Sequence, residues 1–273
     1  MTGILRGAAL ALAATLVASQ AGAAAAAPRV VSLDQCADQY VLALAPRDEI
    51  VALSKRATNA DSYLRAEAAG LPQQRQTLEA VLGSGANLAV YNWTTDLSLP
   101  AALSRHGLTV VKVDDAHDFA TVRADIRKVA AALGQSAAGE ALIARMDAKL
   151  AASQGAWRGA RALYLTPGGF TAGPGTMVGA MMSAAGLSNA APGPDYAAVS
   201  LESLVLNPPV ALVLGFFRDL AGGRSHWTIG GSSYLQALAR QRAIASLPGS
   251  MLGCPAWFAA DGTLALAKAR PGA

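Results

Sequence analysis

Short apolar runs rich in β-branched residues recur along the chain at 29–33 (RVVSL), 49–53 (EIVAL), 87–92 (NLAVYN), 108–113 (LTVVKV), 161–166 (RALYLT) and 210–214 (VALVL). Each is too short and too continuous for an amphipathic helix and reads as a strand buried on both faces. Between them lie stretches with helical spacing at 34–44, 61–69, 77–82, 100–105, 119–133, 177–185, 200–206, 232–239 and 264–269. Asp34 or Ser32, Thr77 and Asp118 stand where a helix N-cap belongs, and His106-Gly107, Gly134 and Gly186 where helices end. Residues 249–253 read as the head of a last strand-like segment. Strands alternating with helices at this spacing predict an α/β chain with parallel sheet and helices on its faces.

One stretch stands apart. Residues 136–152 (SAAGEALIARMDAKLAA) put Leu142, Ile143, Met146 and Leu150 on one helical face and Glu140, Arg145, Asp147 and Lys149 on the rest. Ser136 is placed to cap its start, and Gly155 breaks the pattern. Strand–helix units of similar size lie on both sides, so this helix is a candidate bridge between two lobes. An ordinary amphipathic helix packed on one sheet is the plainer alternative. An internal echo favours the bridge. TLEAVL at 77–82 followed by LAVYN at 88–92 is matched by SLESLV at 200–205 followed by VALVL at 210–214. Each copy is a hydroxyl-capped short helix with a glutamate second in the helix, leading into an apolar strand.

Residues 1–27 combine Arg6, a short apolar core and a run of alanines, which is the pattern of a secretory signal peptide cleaved to leave a soluble exported chain. The 273 residues suffice for one large or two small domains. The net charge of +4 comes from scattered cations with no basic run, which argues against nucleic acid as a partner.

Candidate chemistry clusters beyond the strands. Aromatic residues make up only 5% of the chain. Yet Tyr91, Trp93, Phe170, Phe216, Phe217 and Trp257 all follow or approach strand ends, where open α/β sheets bind ligands. Large aromatics there would floor a cleft for a flat or macrocyclic ligand. Tyr91 alternates with Trp93, so one of the two can face a helix instead. His226 could serve as an axial ligand or polar contact, and Arg218 could meet an anionic group. The three histidines have no metal-ligand spacing. The loop G173-P-G-T-M-V-G179 follows a strand and opens a helix but lacks dinucleotide-fingerprint spacing, and Pro174 removes a donor. It reads as a tight structural turn or as a ligand-facing turn. Cys36 and Cys254 are the two cysteines of an exported chain; they form a disulfide, which would restrict opening if it crossed between lobes, or two separate thiols, or take a soft-metal or ligand role. No nucleophile-elbow, zinc-protease or C-x-x-C motif is present, so the chain reads as a non-enzyme. An exported hydrolase using Ser32 or Asp34 is the alternative.

RVVSLDQCADQYVLALAPRDEIVALS, TLEAVLGSGANLAVYNW, GGFTAGPGTMVGAMMSAAGLSNAA with Gly186 and Asn189, and VSLESLVLNPPVALVL, in this order, resemble the periplasmic substrate-binding proteins of ABC importers for iron–siderophore complexes, haem and cobalamin. The resemblance spans residues 29–257. It implies two Rossmann-like lobes of parallel sheet with flanking helices, bridged by one long rigid helix: a signal peptide at 1–27, lobes at 28–135 and 157–273, and the bridge at 136–156. It also implies a monomer without an intrinsic cofactor that carries a metal chelate, a ferric siderophore or cobalamin, in the interlobe cleft. Glu79 and Glu202 would then dock on the permease dimer of the transporter. Trp93 takes the place of the tryptophan that cobalamin-binding members set just after the first-lobe strand. The implied ligand contacts are Trp93, Tyr91, Phe170, Phe217, Arg218, His226 and Trp257. The sequence departs from the family at Asn87 and Val210, each standing where an aspartate is common. Haem-binding members ligate iron through a tyrosine or histidine that no residue here matches securely, which favours the other cargoes.

Overall fold

The structure is a computed structural model and describes residues 27–217 and 232–270. Residues 1–26 of the expected leader, Arg218 and His226 lie outside the described residues.

The first sheet contains β1 (Val30–Ser32), β2 (Ile50–Ser54), β3 (Gln73–Gln74), β4 (Leu88–Tyr91) and β5 (Thr109–Lys112), all parallel, in the order β3-β2-β1-β4-β5. Helices α1 (Gln35–Leu44), α2 (Leu78–Gly83), α3 (Leu99–Arg105) and α4 (Phe119–Ala132) cover it. The second sheet contains β6 (Arg161–Leu165), β8 (Ser188–Asn189), β10 (Leu212–Gly215) and β11 (Ala243–Leu247), again parallel, ordered β11-β10-β6-β8. Its helices are α6 (Met177–Ala184), α7 (Leu201–Leu206), α8 (Ser233–Arg242), α9 (Gly249–Leu252) and α10 (Ala259–Lys268). A small antiparallel pair, β7 (Phe170–Ala172) with β9 (Tyr196–Ala198), is added to the second lobe.

The two lobes repeat one plan. Reading β2-β1-β4-β5 against β8-β6-β10-β11 gives the same strand order, with α2 and α7 each leading into the third strand of the series and α3 and α8 each leading out of it. The central strands β1, β2, β4, β6 and β10 are buried on both faces, as parallel strands between helix layers must be, while the edge strands are partly exposed. Val81, Leu99 and Leu103 close the outer face of the first sheet, and Leu204, Leu235 and Leu238 that of the second.

The inner faces share one core. It runs from Tyr40, Val122 and Ile126 through Met146 to Met181, Trp257, Phe258 and Leu266. At its middle lies α5 (Ser136–Ser153), packed against α4 on one side and α10 on the other. A Cβ at Gly139 would sit 2.6 Å from that of Ala130, so glycine is what lets α5 approach α4 this closely. Ser136 is the first helical residue and not the cap; the cap position is Gln135, which makes no side-chain capping bond.

Several expectations change on contact with tertiary structure. Residues 61–69 form successive turns and no regular helix. Gln39 is the reason: its amide donates to Ser62 Oγ and its carbonyl accepts from Leu64 N–H, while Arg47 bonds the carbonyls of Glu67 and Ala69. The last strand is 243–247, and residues 249–252 form α9 rather than a strand. The final helix starts at Ala259, five residues ahead of the expected 264.

Candidate functional site

The carboxyl ends of β1, β2 and β4 and those of β6 and β10 border a groove between the lobes, the place where open parallel sheets leave backbone polar groups and loops free to meet a ligand. On the first-lobe side a cavity of about 540 Å³ is lined by Asp34, Lys55, Arg56, Arg75, Gln76 and Trp93, among others. On the second-lobe side a cavity of about 590 Å³ is lined by Thr166, Pro167, Phe170 and Phe216. Asp61 borders both.

Aromatic side chains face this groove from each lobe. Trp93, directly beyond β4, is 62% exposed, and Phe170, at the start of β7, is 51% exposed. Phe216 follows β10 with φ at 62°, in the left-handed region that a residue with a side chain avoids at a cost of about 1–2 kcal/mol. Its neighbour Phe217 packs instead on the Leu163–Leu165–Leu212 face behind the sheet; simple alternation from Leu212 and Leu214 would place Phe216 there, and the left-handed backbone at Phe216 reverses the order. Tyr91 likewise packs with Val31 and Leu103. Trp257 is only 7% exposed and stands edge-on to Tyr40 at 5.2 Å and to Phe258 at 5.3 Å. Of the aromatic contacts expected from the sequence, then, Trp93 and Phe170 stand at the groove; Tyr91, Phe217 and Trp257 are packing residues.

Polar residues missed by the sequence reading complete the wall. Lys55 and Arg56 follow β2 as Trp93 follows β4, so the rule of strand ends applied to every strand would have found them. Arg56 bonds Gln35 Oε1 at 2.7 Å and Asp61 Oδ2 at 3.2 Å. Lys55 and Arg75 make no ion pair among the described residues, which leaves the wall with exposed positive charge.

Asp34 is the hub of the first-lobe wall. Its Oδ1 caps α1 by accepting from Cys36 and Ala37 N–H, and its Oδ2 accepts from Asn92 and Trp93 N–H. Burial raises its pKa against the opposing pull of those four donors. One turn along α1, Asp38 is fully buried and accepts from Ser54 N–H at 2.9 Å and Ser54 Oγ at 2.6 Å. Burial pushes its pKa up to about 6, with the charge of Asp34 adding to the effect. Ser32 is buried, and its hydroxyl donates to the carbonyl oxygen of Asp34. Ser32 also bonds the Asp38 carboxylate, but both side chains are buried, and the Asp34 oxygens are occupied by backbone donors.

Cys36 and Cys254 form a disulfide, and both border the first-lobe cavity. It ties the first turn of α1 to the segment between α9 and α10, so the link crosses from lobe to lobe. Beside it Tyr63 stacks on Phe258 at 4.3 Å and donates to Asp261 Oδ2, and Lys149 of α5 bonds the other oxygen of Asp261 at 2.6 Å. Burial and the adjacent carboxylate push the Tyr63 pKa up to about 12.

The glycine loop at 173–179 is a tight turn. A Cβ at Gly173 would lie 2.0 Å from the Gly193 carbonyl oxygen, and the N–H groups of Gly173, Gly175 and Thr176 are spent on backbone carbonyls. Glu79 and Glu202 are exposed, each second in its helix, α2 capped by Thr77 and α7 by Ser200. No group of histidine, cysteine and acidic side chains with metal-binding geometry occurs among the described residues, and none of their helices is long and apolar enough to cross a membrane.

No family model matches the chain. A cobalamin-binding protein of Halobacterium salinarum is 29% identical over 201 residues, which is 70% of this chain and 54% of that protein. The chain thus spans about half the length of the curated relatives it matches. Among solved structures, the periplasmic heme-binding protein RhuT of Roseiflexus sp. RS-1 superposes with a TM-score of 0.68 at 24% identity, covering 89% of this chain and 99% of RhuT. The periplasmic vitamin B12 binding protein BtuF of Vibrio cholerae does so at 0.61 and 19%, covering 89% and 96%. The fold is that of a periplasmic binding protein. Two lobes of parallel sheet flanked by helices are the shared architecture.

Proposed function

We propose that this protein is a periplasmic solute-binding protein that takes up a metal chelate in the interlobe groove and delivers it to an ABC importer. The observation that carries this reading is the presence of aromatics at the groove on both lobes, exposed Trp93 beside the cavity of about 540 Å³ and exposed Phe170 with half-buried Phe216 beside that of about 590 Å³. Aromatic faces suit a broad, flat or macrocyclic cargo, and Lys55 and Arg75, without an ion pair among the described residues, suit one with anionic groups.

The cargo of choice is cobalamin or a ferric siderophore. The cobalamin-binding relative favours this choice. Glu79 and Glu202 are the proposed contacts to the transporter, since two carboxylates on equivalent helices of two like lobes can set the register of a docked dimer.

Protein purified from periplasm without added ligand tests the cargo, by its visible spectrum together with native mass spectrometry. A visible band with a matching added mass names the chelate. Protein that carries some other copurified small molecule overturns the metal-chelate assignment.

A further inference from the structure

The backbone of Trp93 is held from both sides. Its N–H donates to Asp34 Oδ2 at 3.1 Å, and its carbonyl accepts from Gln76 Nε2 at 2.7 Å. The flanking residues are held by the same two side chains: Asn92 N–H donates to Asp34 Oδ2 at 2.6 Å, and Thr95 N–H to Gln76 Oε1 at 3.1 Å. The indole itself stays 62% exposed. An exposed aromatic on a loop normally loses conformational freedom when a ligand orders it, at a cost of about 0.5–1.5 kcal/mol per side chain. Here the main chain that carries it is already fixed.

Asp34 itself has nothing left to offer a cargo. A carboxylate has about four acceptor sites, and Cys36, Ala37, Asn92 and Trp93 N–H fill them. Through Cys36 the same residue also stands beside the disulfide to the second lobe. It is placed to hold the wall rather than to touch what binds there.

We infer that Asp34 and Gln76 are positioning residues that preset Trp93 as an aromatic platform and set affinity through that platform. This rests on the reading of Trp93 as a cargo contact, so the test has one arm without cargo. The protein is labelled with 5-fluorotryptophan, and the Trp93 fluorine resonance is identified by its loss in Trp93→Phe. In the parent protein it is one sharp line; in Gln76→Ala and in Asp34→Asn, which keeps one acceptor oxygen for the α1 cap, it broadens or splits. Gln76→Ala carries this arm alone if Asp34→Asn does not fold. The second arm measures affinity for cyanocobalamin or a ferric trihydroxamate, whichever binds. Gln76→Ala weakens it about 5-fold in the parent and less than 2-fold in a Trp93→Ala background.

An unchanged Trp93 line in the variants, or equal losses in both backgrounds, overturns the inference. Failure of every chelate to bind overturns the transport reading instead, and the fluorine spectrum still decides the clamp.

Discussion

Cys36 and Cys254, 218 positions apart in sequence, are bonded across the two lobes at the wall of the groove. The bond fixes one point of the interlobe contact, next to the Tyr63–Phe258 stack and the Tyr40–Trp257 edge contact. Any spreading of the lobes must pivot about it. Replacing both cysteines by serine is expected to cost about 3 kcal/mol, within the usual range for a native disulfide, and to lower the thermal midpoint by roughly 6–12 °C. Scanning calorimetry of the variant and of the parent in reductant checks this; an unchanged midpoint in both contradicts it.

Asp38 makes stability depend on pH. Its pKa rises from an ordinary 3.8 to about 6 in the folded chain, so the folded state binds its proton more tightly than the unfolded state does. The stabilisation is fully present below about pH 4 and is lost as pH rises through 6, a change on the order of 3 kcal/mol. Asp34 is shifted the same way, so a slope of the same sign persists without Asp38. Urea titrations between pH 4 and 7 should show Asp38→Asn losing most of this slope. A slope equal to the parent's would place the titration elsewhere.

Trp93 and Trp257 should separate cleanly when truncated. Trp257→Ala removes a buried side chain and should cost about 3–5 kcal/mol. Trp93→Ala removes an exposed one and should leave the thermal midpoint within about 2 °C while weakening chelate binding 10-fold or more, since a central aromatic anchor contributes on the order of 2 kcal/mol. Chemical denaturation beside a binding isotherm reads both. A stability loss at Trp93 would mean that it packs as core.

Glu79→Gln and Glu202→Gln, alone and together, should leave chelate affinity and folding unchanged, because both side chains are exposed and the caps of α2 and α7 come from Thr77 and Ser200. Uptake through the reconstituted transporter should fall in each single variant and further in the double. Full uptake in the double variant would remove these residues from the docking surface.

The parts of this molecule written in local periodicity were legible in the sequence. The strands at 30–32, 88–91, 161–165 and 212–215, the long α5 and the paired glutamate helices all follow from short-range pattern, and so does the duplication of the lobes. What failed depends on distant partners. Residues 61–69 have helical composition, but Gln39 and Arg47 draw their backbone groups into turns. The β7–β9 pair joins segments more than twenty residues apart around the glycine turn. Trp257 looked like a strand-end aromatic until the segment after α9 folded back on α1, the same return that brings Cys254 to Cys36. Phe216 and Phe217 could not be told apart, because only the backbone bend at Phe216 decides which of them reaches the groove.

A metal chelate held in the groove against Trp93 is the centre of the proposed function. Isothermal titration of the parent and of Trp93→Ala with cyanocobalamin, a ferric trihydroxamate, a ferric catecholate and hemin addresses it most directly. One-to-one binding of at least one of these is expected below about 1 μM, some 8 kcal/mol of binding free energy, weakened 10-fold or more by Trp93→Ala. Binding of none of them, or binding that Trp93→Ala leaves untouched, would contradict it.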